Sequence, residues 1–185
     1  MGGAVAYYTY NRNPSLWSGV IFVAPMCKVS DELLPPKFIV DMLQTFCGDA
    51  GSDVDSYPFA KLPIAPTKDV QEFSFKLKEK AELAYTVPFG FGRKPRLATA
   101  RELLEATRVI SKTCKDFDAP FLIQHGLDDK VTCPKLSQLL YDEAKSTDKE
   151  IKLYEGMWHT LTSGETKENI DITFNDALSW LLARV

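Results

Sequence analysis

Asp129 and His159 are of the types, and stand in the order, that could share a proton-handling task. The run Pro120-Phe121-Leu122-Ile123-Gln124-His125-Gly126-Leu127-Asp128-Asp129 is apolar until Gly126, and a carboxylate follows within a few residues. A second strand-like run, Glu150-Ile151-Lys152-Leu153-Tyr154-Glu155-Gly156-Met157-Trp158-His159, also reaches a glycine and then delivers an imidazole. A histidine acts as a base only when a partner orients its ring and stabilises the imidazolium, and a carboxylate at a neighbouring strand end does both. The two residues are 30 positions apart. That is room for one crossover helix and one strand, which sets the two loops side by side where open α/β sheets collect their catalytic groups. Alone, an Asp after a Gly is usually a turn and a His beside Trp158 usually packing; the matched strand contexts make the pair informative. Between Asp128 and Asp129, spacing from Gly126 favours Asp129. His125 lies on the strand before the turn and reads as structural.

The missing member of a Ser-Asp-His set would be a serine in G-x-S-x-G, upstream of both. The chain begins Met1-Gly2-Gly3-Ala4-Val5-Ala6, which reads as the continuation of that motif with the serine directly before Met1. Gly2 and Gly3 suit a tight strand-to-helix turn where a Cβ would collide with the adjacent strand.

Several elements must position these residues. Residues 2–13 predict a helix, with Val5, Tyr8 and nearby alanines available for burial and Pro14 ending it. Gly19 to Ala24 is a continuous apolar run, the pattern of a parallel strand covered on both faces. From 28 to 115 the character changes: seven prolines (35, 36, 58, 63, 66, 88, 95) punctuate helical pieces, and no buried strand stands out. Ile39, Met42, Leu43 and Phe46 recur at helical spacing, Glu72 to Tyr85 is a charged helix, and Leu97 to Ser111 a stronger one. Val87 to Gly92 reads as a flexible aromatic turn. An inserted helical segment between core strands reads as a cap over an apolar entrance, or equally as a helical subregion packed for stability. The core resumes with strand 120–124, a loop at 130–132, helix 134–144 with Leu136, Leu139, Leu140 and Ala144 on one face, and strand 151–154. Ile170, Phe174, Ala177, Leu178, Leu181 and Leu182 mark a C-terminal amphipathic helix. The fold class is therefore α/β, a mostly parallel sheet with flanking helices: residues 1–27 and 116–185 form the core and 28–115 the helical cap.

The 185 residues are 45% apolar, enough for one domain with a sizeable core. With 25% charged residues and a net charge of -3, no polyanion-binding face is implied, and nucleic acid is not an expected partner. No run has the length of a membrane span. Cys27, Cys47, Cys114 and Cys133 form no C-x-x-C pair, as expected of free thiols in a reducing, cytoplasmic compartment, with no metal site.

Specific segments carry a family resemblance: Gly19 to Cys27, Ala65-Pro66-Thr67-Lys68-Asp69, Lys94-Pro95-Arg96-Leu97, His125 through Thr132 and Lys152 through His159. Over nearly the whole chain they resemble the monoacylglycerol lipase-like α/β-hydrolases of serine aminopeptidase type, in the plant and algal branch that includes caffeoylshikimate esterase. The resemblance implies the C-terminal part of an α/β-hydrolase fold, with Asp129 and His159 matching the triad acid and base. Met1 matches the residue after the nucleophile, whose backbone N–H helps form the oxyanion hole. It implies a lipase or esterase with no cofactor, acting on a small lipid or phenolic ester, whose cap could touch a membrane peripherally. Cys133 stands where the family commonly has an Asp before the proline, a weaker helix cap. Three readings of the start follow: a piece of an active hydrolase begun at an internal methionine just after the serine, a truncated non-catalytic homologue binding lipid or a partner through its cap, or a half that complements a separate N-terminal half.

Overall fold

Phe121–Gly126 (β2) is buried at all six positions and forms the centre of a three-stranded sheet. Val20–Val23 (β1) lies on one side and Lys149–Tyr154 (β3) on the other, both parallel to it, in the order β1-β2-β3. The computed structural model describes residues 1–26, 37–49, 51, 53–62, 71–86 and 96–184. Cys27, the 65–69 segment, the aromatic turn at 87–92 and the Lys94-Pro95 pair lie outside them.

Alternation along β2 sorts its side chains between two helical layers. Phe121 and Ile123 face Gly2–Arg12 (α1), the end of Leu97–Thr113 (α5) and Pro134–Glu143 (α6), in a core with Ala4, Tyr7, Tyr10, Val20, Phe22, Ile110 and Leu140. Phe117, fully buried just before β2, gathers the rings of Tyr7 at 4.8 Å, Tyr10 at 5.3 Å and Phe121 at 5.7 Å. Each aromatic contact of this kind adds about 0.5–1.5 kcal/mol beyond area burial. On the opposite face Gln124 donates to the Thr173 carbonyl of Lys167–Leu182 (α7) and to the Tyr154 hydroxyl, both at 2.8 Å, and Tyr154 donates to Asp176. Gly19, just before β1, admits Trp180 of α7: a Cβ there would stand 2.7 Å from the indole ring.

Two helical faces differ from their sequence patterns. In α1 the buried residues are Ala4, Tyr7 and Tyr10, whereas Val5 and Tyr8 are exposed. The sheet takes the stripe that carries the two tyrosine rings, and Tyr7 gains a hydrogen bond to Thr113 at 2.8 Å there. In α7 the buried residues are Thr173 and Trp180, while Phe174, Leu178, Leu181 and Leu182 face outward. The bond from Gln124 to the Thr173 carbonyl and the fit of Trp180 against Gly19 fix that rotation.

Between β1 and β2 the described residues form Lys37–Cys47 (α2), Gln71–Ser74 (α3), Lys78–Thr86 (α4) and α5. The helix expected over 72–85 is broken after Ser74, because the Lys76 and Leu77 N–H groups both donate to the Gly164 carbonyl at 3.1 Å instead of continuing the helix. Cys47, Ala60 and Ala98 make a small second core. Beside it the buried Arg101 guanidinium donates to the carbonyls of Cys47 and Gly48. No helix among the described residues is long and apolar enough to cross a membrane.

Candidate active site

The carboxyl ends of β2 and β3 bring Asp129 and His159 together. His159 Nδ1 lies 2.8 Å from Asp129 Oδ2. Gly126 makes this approach possible. A Cβ there would stand 2.6 Å from the carbonyl carbon of Met157 and 2.6 Å from the carbonyl oxygen of Trp158, and backbone cannot yield as a side chain does. The turn then docks on the β3 loop through Leu127 N–H to Tyr154 O at 2.9 Å and Asp128 N–H to Met157 O at 3.0 Å.

Asp129 is held by more than its histidine. Oδ1 accepts from the backbone N–H of Val131 at 2.7 Å and of Thr132 at 2.9 Å, an Asx-type turn. Oδ2 accepts from His159, from the Thr132 hydroxyl at 2.8 Å and from His125 Nε2 at 3.0 Å. Burial pushes the carboxyl's pKa up, but hydrogen bonds from His125 and His159 and from the turn outweigh it and hold the group well below the usual carboxylate range. An anion fixed in this way dictates that His159 carries its proton on Nδ1, leaving Nε2 as the basic nitrogen. The His159 side chain is 28% exposed and that of Asp129 is buried, so the imidazole meets solvent while the carboxylate does not.

The start of α1 reaches the same strand ends. Met1 is its N-cap, and the Met1 carbonyl accepts from the N–H groups of Ala4 and Val5. Of the two glycines expected to need close approach, only Gly3 does: a Cβ there would lie 2.7 Å from Pro25 Cβ, whereas Gly2 has open space. Ala24, at the carboxyl end of β1, adopts the left-handed φ of 43°, uncommon for a residue with a side chain. Its carbonyl faces the Thr132 hydroxyl at 3.4 Å. Pro25 therefore touches α1 while its neighbour Ala24 touches the turn around Asp129.

Three residues in contact with this site carry more than their patterns indicated. His125, read as structural, is fully buried and bonds Asp129 directly. Thr132, in a predicted loop, bonds Asp129, and its position three residues after an Asp is the signal that could have marked it. Glu165 is fully buried; it accepts from the Trp158 N–H at 2.7 Å and from Asn169 at 2.9 Å, with Lys76 Nζ at 3.9 Å. The segment after α3 lies against the same loop: the Ser74 carbonyl accepts from Thr160 N–H at 3.0 Å and Thr160 hydroxyl at 2.7 Å. Lys130 Nζ spans the rings of Trp158 at 5.5 Å and Phe73 at 5.8 Å. Cys133 is the N-cap of α6 and makes no side-chain capping bond. Among the described residues no group of three or more His, Cys, Asp or Glu is disposed to hold a metal.

Residues 1–167 match the family described as serine aminopeptidase, S33. Caffeoylshikimate esterase of Arabidopsis thaliana is 34% identical over 186 aligned residues, covering all of this chain and 53% of that protein. Human monoglyceride lipase is 24% identical, with all of this chain and 56% of that protein covered. Among solved structures, Paleococcus ferrophilus monoacylglycerol lipase superposes with a TM-score of 0.75 at 18% identity, over 99% of this chain and 65% of its own. A soluble variant of Saccharomyces cerevisiae monoglyceride lipase, in complex with a substrate analog, gives 0.75 at 22% identity, over 99% and 62%. The chain thus spans about half the length of these two curated relatives.

Proposed function

The chain belongs to the serine aminopeptidase S33 family of monoacylglycerol lipase-like α/β-hydrolases, and from that membership we propose that it supplies the acid and base of a serine hydrolase of carboxylic esters. The observation that carries the proposal is the 2.8 Å contact between His159 Nδ1 and Asp129 Oδ2 at the ends of adjacent parallel strands. In this reading the nucleophilic serine stands directly before Met1, at the start of α1. His159 Nε2 takes the serine proton as the oxygen attacks the ester carbonyl, and Asp129 stabilises the imidazolium. The Met1 backbone N–H is one of the donors to the tetrahedral oxyanion. Collapse of that intermediate releases the alcohol with the proton from His159, and water then hydrolyses the acyl-enzyme by the same route. No step requires a cofactor.

The substrate is a small lipid or phenolic ester, since relatives named as monoglyceride lipases and as caffeoylshikimate esterase both align over the entire chain. The helices between β1 and β2 form the cap, an apolar entrance that can rest on a membrane surface. The test uses the complete translation product, read in frame upstream of Met1. It should label with a fluorophosphonate and hydrolyse either a monoacylglycerol or a caffeoyl ester, and lose both properties on changing the upstream serine. Absence of labelling and of hydrolysis for both ester classes would refute the proposal and leave a binding role through the cap.

A further inference from the structure

We propose that His125 is a positioning residue of the acid–base pair, a second imidazole that holds Asp129 from behind in one protonation geometry; this rests on the hydrolase reading above. Alternation along β2 sends His125 to the same face as Phe121 and Ile123, toward α6, where it is fully buried. Its Nδ1 lies 2.7 Å from the hydroxyl of Ser137, itself fully buried on α6. Its Nε2 faces two oxygens that can only accept, Asp129 Oδ2 at 3.0 Å and the Thr132 carbonyl at 3.3 Å, and the Thr132 hydroxyl at 3.3 Å, whose hydrogen goes to the nearer Asp129 Oδ2 at 2.8 Å. A nitrogen facing two acceptors must carry the hydrogen. Nδ1 then accepts from Ser137, and a neutral ring satisfies both of its nitrogens. Asp129 and the Thr132 carbonyl thereby fix the tautomer of His125, and Ser137 on α6 completes it by donating to the bare Nδ1.

The consequence lies at Asp129 Oδ2, which receives hydrogens from both imidazoles and from Thr132. With its oxygens engaged in this way the carboxylate cannot rotate, so the lone pair offered to His159 Nδ1 is fixed in direction. A residue that merely filled space between β2 and α6 would not do this.

His125 and His159 are the chain's two histidines, so the imidazole nitrogens of a ¹⁵N-labelled chain give two readily separated patterns. The expected spectrum has His125 protonated on Nε2 with a bare Nδ1, and His159 protonated on Nδ1. His125→Phe, which keeps the volume and removes the donor, should shift the hydrogen-bonded Nδ1–H resonance of His159. In the complete enzyme it should lower kcat about tenfold, the rate equivalent of one charge-assisted hydrogen bond. KM should stay within about twofold. His125→Gln, whose amide can donate from a similar position, should recover most of kcat and most of the His159 Nδ1–H resonance position. A wild-type His125 protonated on Nδ1 would overturn the proposal without any variant needing to fold. So would a folded His125→Phe with unchanged kcat and an unshifted His159 Nδ1–H resonance. If the wild-type enzyme hydrolyses no ester, the hydrolase reading falls, while the tautomer of His125 and the His159 resonance still decide whether the two imidazoles are coupled through Asp129.

Discussion

Gly126 lies against the backbone of Met157, so that the turn bearing Asp129 and the loop bearing His159 touch where neither has a side chain to spare. A methyl group at 126 must push two strand ends apart. Gly126→Ala should cost about 1–3 kcal/mol, the usual range for forced overpacking, read as a lower urea midpoint. In the proposed hydrolase the rate of ester hydrolysis should fall as well, because the Asp129–His159 distance opens. Unchanged stability would show that the two loops are not in backbone contact.

Asp129→Asn replaces an acceptor-only group with one that presents an N–H to two or more donors. His159 is then turned to the wrong tautomer, and kcat should drop by about 10⁴-fold, the scale seen for the same change in a serine protease. A drop of less than about tenfold would mean that His159 does not depend on Asp129 for its orientation.

The low pKa of Asp129 gives stability a pH dependence of fixed sign. An unfolded aspartate titrates near about 3.9, while in the folded protein burial acts to raise the value and the donors from His125 and His159 lower it further still. The stabilisation is complete above about pH 4 and is lost as pH falls from there toward the folded value, because the unfolded chain binds the proton first. Urea midpoints measured from pH 7 to pH 2.5 should show the wild-type advantage over Asp129→Asn narrowing below about pH 4. A constant gap would contradict the assignment.

Thr132→Val keeps the shape and removes one donor to Asp129 and one contact to the Ala24 carbonyl. It should destabilise by about 1 kcal/mol, less than Asp129→Asn, because the backbone N–H groups of 131 and 132 still hold Oδ1. Thermal melts of the two variants side by side give the order, and a larger loss for Thr132→Val would reverse it.

Glu165→Ala strips the Trp158 N–H and the Asn169 amide of their acceptor inside the protein. A loss of about 1–3 kcal/mol follows from leaving buried donors unpaired, and Glu165→Gln should retain most of the stability through its carbonyl. Faster amide exchange at Trp158 in the Ala variant, with exchange in β2 changed only by the global loss, is the local signature. Uniform acceleration across the chain would instead make Glu165 a general core residue.

Much of the frame was readable from sequence because it rests on local patterns. The short apolar run toward Gly126 and the strand-like run before Gly156 marked β2 and β3, Pro134 marked the first turn of α6, and the glycine endings located the Asp129 and His159 loops. What escaped depends on partners distant in the chain. The break after Ser74 is made by Gly164, and the rotation of α7 by Gln124 and Gly19. His125 looked inert because its second partner, Ser137, is brought to the other ring nitrogen only by the packing of α6 on β2. A pattern of polar and apolar letters records which residues are buried far better than which buried polar atoms meet.

Segment 74–77 is joined to the loop after His159 by backbone bonds at Ser74, Lys76 and Leu77, and the Lys76 side chain reaches back to the Gly156 carbonyl at 2.6 Å. This makes the segment a latch on the loop that carries His159. Any movement that lifts the segment must break these bonds together, so the seating of 74–77 and the support of His159 are kept or lost as one.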